Sequence, residues 1–218
     1  MKTNSFRHLI LLVVFLFASG STFGQEVLTA KQWQEDLLFL QETVHNDFPF
    51  LFKKVEKKVW DAEVEKFHGQ IPNLEEHEVE VGFARMVSLF EYGHTQIPFS
   101  TVAKDGVLPV NLYHFKDGIY VEGTQKAHEN ILGAKVLKIG SFPIAEALQM
   151  IRPVVPVEND SYFKAYGLRF LTSPAVLHAQ RVIPAYTKNV SLTIEKDGKV
   201  VEYELPTIPY DEMSRDYG

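Results

Sequence analysis

The sequence predicts an α+β protein, with helices in its first half and β-hairpins in its second, behind a short apolar leader. Three observations carry that reading. Between residues 29 and 91 the apolar side chains recur at helical spacing. From about Ile97 onward, β-forming residues alternate around Lys-Asp-Gly turns. Ahead of both, Leu9 to Ala18 ("LILLVVFLFA") forms an unbroken apolar run behind Lys2 and Arg7.

The leader is the first element. A positive start, ten apolar residues and the small-residue stretch "STFG" before Gln25 have the layout of a secretory signal covering residues 1–24. The run is short for a membrane span, the alternative reading being an uncleaved anchor. Removal of Lys2 and Arg7 would take the net charge from −6 to −8, because no acid precedes Glu26. The expected location is exported, periplasmic or extracellular, with no stable membrane insertion once the leader is cleaved. With no cysteine in the chain, disulfides, thiolate metal sites and cysteine nucleophiles are excluded.

Residues 25–96 read as a helical domain. Thr29 with Gln32 three residues on is a capping box, followed by Trp33, Leu37, Leu40 and Val44 on one stripe. "NDFPFLF" breaks that helix at Pro49. A second helix is predicted over about Val55 to Phe67, with Val59, Trp60, Val64 and Phe67 as its apolar face. Asn73 is the expected N-cap of a third, with Glu75 and Glu76 in its favourable first turn. That helix runs to about Phe90 and buries Val79, Phe83, Met86, Val87 and Phe90.

Residues 97–208 read as a β-rich domain. "VLPVNLYHF", "KDG" and "IYVEG" make one hairpin. "GAKVLKIGSFPIAEALQMI" reads as turn, strand, tight turn and a helix from about Ile144. "SLTIEKDGKVVEYEL" makes a second hairpin about Lys196-Asp197-Gly198-Lys199. Residues 154–186 are less regular, with a short helix expected after Ser173-Pro174.

The chemistry is read by elimination. A charge of −6 supplies no basic field for nucleic acid. The eight histidines show no metal-ligand spacing, so no metal site and no cofactor is expected. His45, His68 and His77 lie near helix ends, where surface or capping roles are the default, and His114 and His128 have no visible partner. No Gly-x-Ser-x-Gly is present, and the single Ser-x-x-Lys, Ser161 to Lys164, lacks its companion motifs. Asn159-Asp-Ser161 and Asn189-Val-Ser191 match the short glycosylation pattern. What remains is "EYGHT". Gly93 permits a sharp turn or a close approach, and His94 after it is either a general base facing a cleft or an imidazole that hydrogen-bonds its own loop.

In order and spacing, these signals resemble the N-terminal half of the tail-specific (C-terminal-processing) serine proteases, in the branch similar to the tricorn core. The matching features are Trp33, Asp36 and Leu37 in the first helix, "IPNL", "EYGHT", "LPVNLYHFKDGIYV", "GAKVLKIGSFPI" and "LTIEKDGKVVEYEL". Together they span about residues 27–206.

That resemblance implies a PDZ-like domain over 97–208, with 154–186 as an insertion. Residues 209–218 would open a linker to a catalytic core holding the nucleophilic serine, which lies outside this chain. The His of the "GHT" motif acts as base in this branch, a role that falls here on His94. Tyr92 stands where relatives usually carry Asp. The implied partner is a polypeptide substrate or a C-terminal peptide, lying along a groove lined by Leu108, Val110 and Leu148, with the loop Lys104 to Val107 offering N–H groups to a carboxylate. The alternative is a non-catalytic module that binds peptides through the same groove.

Overall fold

The computed structural model describes residues 28–213. The leader expectation, residues 1–24, lies outside the described residues, as does the end of the expected linker. What is described is α+β, with helices in the N-terminal part and an antiparallel sheet in the C-terminal part.

Helix α1 (Ala30–Asp47) starts at the capping box its sequence announces. The Thr29 hydroxyl accepts from the Gln32 N–H at 3.3 Å, and the Gln32 side chain accepts from the Thr29 N–H at 2.8 Å. Pro49 then opens a 3₁₀ turn (Pro49–Lys53), and α2 (Lys57–Gln70) follows. Helix α3 (Glu76–Ser88) corrects one expectation, because its N-cap is Glu75 and not Asn73. Ile71–Asn73 is wound into a separate 3₁₀ turn, which leaves the capping box to Glu75 and Glu78. The Glu78 carboxylate accepts from the Glu75 N–H at 3.1 Å.

Leu37, Val64, Phe67, Met86 and Phe90 close one apolar cluster around Trp60. The Trp60 indole N–H is satisfied by the Met86 carbonyl at 3.2 Å, so this large side chain is buried without leaving an unpaired donor.

The sheet has the order β1-β2-β3-β5-β6, every pairing antiparallel. Its members are β1 (Val110–Phe115), β2 (Gly118–Thr124), β3 (Lys135–Ile139), β5 (Asn189–Lys196) and β6 (Lys199–Pro206), with the two-residue β4 (Phe142–Pro143) paired to β3. Both predicted hairpins form, with Phe115 opposite Gly118 and Lys196 opposite Lys199. At the second turn Asp197 and Gly198 both adopt positive φ (52° and 72°), which matches the right-handed twist of the strands it joins.

Four further helices are α4 (Phe99–Val102), α5 (Ile144–Ile151), α6 (Asp160–Tyr166) and α7 (Pro174–Ala179). Helix α5 packs on β3, and α7 packs against α3. The irregular segment 154–186 contributes Leu168, Phe170, Leu171, Val176 and Leu177 to the sheet-side core, so it is part of the fold's interior. Helix α3 faces both clusters. Val79 and Met86 enter the helical cluster, whereas Val81 and Ala84 enter the sheet-side one. The composition change near residue 97 is therefore bridged by packing, through a helix buried on two sides.

Candidate functional site

His94 stands on a turn just beyond the end of α3. Glu91, at φ 52°, reverses the chain, and the Thr95 N–H donates to the Tyr92 carbonyl at 2.9 Å to close the turn. Gly93 is buried and its peptide groups are gripped from the segment 154–186. Its N–H donates to a Glu158 carboxylate oxygen at 2.7 Å, and its carbonyl accepts from the Tyr162 hydroxyl at 3.0 Å. A Cβ at this position would lie 2.5 Å from the Tyr162 ring. Close approach is thus why the position is glycine. Burial raises the Tyr162 phenol above the usual tyrosine range, Arg169 opposing and Glu158 adding to it, so the hydroxyl stays a donor.

The other side of the turn is held by the helical part. Lys54 Nζ donates to the Glu91 carbonyl at 2.6 Å and sits 4.5 Å over the Tyr92 ring. Tyr92 packs edge-on against Phe50 at 6.1 Å and joins the helical cluster, a packing role that an aspartate at this position could not fill. His94 itself is exposed. The imidazoles that hydrogen-bond other side chains among the described residues are His45, His77, His128 and His178. Exposed aromatics lie on both flanks of the turn: Phe48 and Phe50 beside Tyr92, and Tyr166 beside Tyr162. The result is an imidazole open to solvent on a backbone that is fixed from two directions.

Leu108, Val110 and Leu148, expected to line an open groove, are instead buried in the sheet-side core, at 1%, 1% and 5% exposure. The 3₁₀ segment Leu168–Thr172 lies against both β1 and α5, and the Leu108 N–H donates to its Thr172 carbonyl at 2.8 Å. The cradle expected of Lys104 to Val107 is also used within the fold. The N–H groups of Lys104, Gly106 and Val107 donate to Thr101, Ala103 and Ile208. The Lys104 side chain bridges Glu76 and Glu80 at 2.7 Å each. Burial works against that ammonium, yet the two carboxylates hold it above the usual lysine range. These side chains and N–H groups are thus satisfied within the fold itself.

His77 corrects the expectation of a surface or capping histidine. It is 5% exposed, and its Nε2 lies 2.8 Å from Nδ1 of His178, itself 8% exposed. Tyr186 stacks on the His77 ring at 4.1 Å, and the Glu75 carboxylate lies 3.5 Å from its Nδ1. A ring N–H must meet a lone pair across the histidine pair, so one ring at least is neutral. Burial, reinforced by His178, lowers the His77 pKa below the usual imidazole value, against the opposing pull of Glu75, Glu78 and Asp105.

Sequence reasoning missed Glu158 and Tyr162, the two groups that hold the His94 turn. The signal that could have found them is Asn159, which caps α6 by accepting from the Tyr162 N–H at 2.9 Å, with Asp160 in the first turn.

No protein-family model matches this chain, and no curated protein is significantly similar to it. Function therefore rests on the geometry above and on the resemblance carried by the motifs.

Proposed function

We propose that this chain is the N-terminal and PDZ-like portion of an exported serine endopeptidase of the tail-specific type, with His94 as general base. The observation that carries the reading is the pairing of an exposed imidazole with a pinned backbone. A general base must meet its nucleophile within hydrogen-bond reach and at a fixed angle. The Glu158 and Tyr162 bonds to Gly93 supply that fixity one residue away from the ring. Exposure leaves the ring nitrogens open to a serine hydroxyl brought by a segment outside the described residues.

In that assembly His94 takes the serine proton as the oxygen attacks a peptide carbonyl, then returns it to the leaving amine, and water resolves the acyl-enzyme. The serine of the catalytic set is supplied from outside the described residues in this reading. Residues 97–208, in the PDZ-like reading, engage the polypeptide substrate beside β1, the terminal strand of the sheet. For a peptide to reach Leu108, Val110 and Leu148, the segment Leu168–Thr172 must move aside.

A second reading, a non-catalytic peptide-binding module, is favoured by the same terminal strand, whose Tyr113 and Phe115 are exposed. The two readings separate in one experiment. The product of the full gene is assayed on an unfolded polypeptide, with and without His94→Ala. The endopeptidase reading predicts cleavage that falls by roughly 10³–10⁴ in the variant. Absence of cleavage, or cleavage untouched by the substitution, overturns it. The binding module instead predicts peptide affinity that His94→Ala leaves unchanged.

A further inference from the structure

A cavity of about 580 Å³ opens between α3, the turn before it and the end of α7, and none of the residues that hold the His94 turn lines it. One face of α3 forms its wall, because Glu78, Gly82 and Arg85 recur at helical spacing. Asn73 lines it from the preceding turn, and Gln180 and Arg181 line it from the chain leaving α7.

The donors and acceptors on this wall do not balance. Glu78 is fully engaged: one oxygen pairs with Arg181 at 2.9 Å, and the other accepts from the Glu75 N–H. Arg181 is thereby neutralised, on a residue held at φ 62°, a conformation costly to any non-glycine residue. Arg85 is half-buried and, among the described residues, has no carboxylate within ion-pair distance. Glu63, the acid whose field reaches it, is bound to Lys66 at 3.3 Å. The Phe67 ring, 5.8 Å from the guanidinium carbon, compensates only in part. Burial accordingly lowers the Arg85 pKa. A second donor is stranded as well, since the Gln180 Nε2 is buried with no hydrogen-bond partner.

We propose that this cavity binds a small monocarboxylate, with Arg85 pairing its two oxygens and the Gln180 amide turning out of its buried position to donate a further hydrogen bond. Two guanidiniums and one carboxylate leave a single positive charge, which fits one carboxylate better than a doubly charged phosphate. The guanidinium's flat fork matches a carboxylate in two parallel bonds. The largely polar wall and the volume beyond the anion suit an acid with an amide-bearing body, such as an N-acylated amino acid.

The test is calorimetric titration of the full chain with N-acetylglycine, and with N-acetylglycinamide as its uncharged counterpart. The acid is expected to bind saturably with Kd of roughly 1 mM or tighter, and the amide not at all. Arg85→Gln should weaken the acid about tenfold or more, with Arg85→Lys intermediate. Gln180→Met keeps the proposal testable if an Arg85 variant fails to fold, and it should weaken binding while leaving or raising the melting temperature of the unliganded chain. Equal heats from acid and amide, or affinity indifferent to both positions, overturn the assignment.

Discussion

The two ends of α3 each present a histidine, and they differ in nearly everything else. At the N-terminal end His77 is buried against His178 and stacked under Tyr186. Just past the C-terminal end His94 is exposed, and what is fixed is the backbone beneath it. The first arrangement commits the ring to architecture, through the Nε2 contact with His178 and the stack under Tyr186. The second leaves the ring open and spends its hydrogen bonds on position. The contrast teaches that a histidine available for chemistry is recognised by a held main chain and a free ring, whereas a structural one is recognised by a partner.

Substitution should separate these roles, with the largest effect at His94. In the complete protein His94→Ala is expected to lower peptide cleavage by roughly 10³–10⁴ while shifting unfolding free energy by less than about 0.5 kcal/mol. Kinetics and denaturant unfolding on the same preparation check both halves. His178→Ala should do the reverse. It strands a buried nitrogen of His77 and should destabilise by about 1–3 kcal/mol, with turnover per folded molecule retained.

The clamp under His94 comes next in size. Gly93→Ala drives a methyl into the Tyr162 ring and should cost about 1–3 kcal/mol, with a loss of cleavage because the turn itself is displaced. Tyr162→Phe removes only the hydroxyl bond to the Gly93 carbonyl and should cost about 1 kcal/mol.

The smallest expected effect is on pH dependence. Because the folded state lowers the His77 pKa, folding favours its neutral form. Its contribution is complete above the unfolded value of 6.5 and is lost as pH falls from there toward the folded pKa. Glu80 acts oppositely. Burial raises its pKa despite the Lys104 bond, so acidification relieves that carboxylate as pH falls from its folded pKa toward 4.5. Melting temperature should therefore decline from pH 7 to pH 5.5, and His77→Gln should flatten the decline.

Much of the scaffold was legible in local sequence. Thr29 and Gln32 name the start of α1, and Asp197-Gly198 names a hairpin, because capping boxes and tight turns are set by neighbours three residues apart or fewer. The features that the sequence hid are long-range. His77 and His178 are 101 residues apart in the chain, and Ser88 reaches the Val154 carbonyl. Glu158 and Tyr162 sit in a segment whose irregular pattern conceals that it packs into the core and under the His94 turn. Leu108, Val110 and Leu148, expected to line a groove, all lie in the sheet-side core. What one-dimensional reading could not see was the Leu168–Thr172 segment packed against both β1 and α5.

The central claim, that His94 is held in place to activate a serine, is tested most directly by covalent labelling of the full gene product with a fluorophosphonate. The account predicts labelling of one serine in the unsubstituted protein and a rate lower by roughly 10³ in His94→Ala, with the fold unchanged. Labelling at the same rate in both proteins, or none in either, would contradict it.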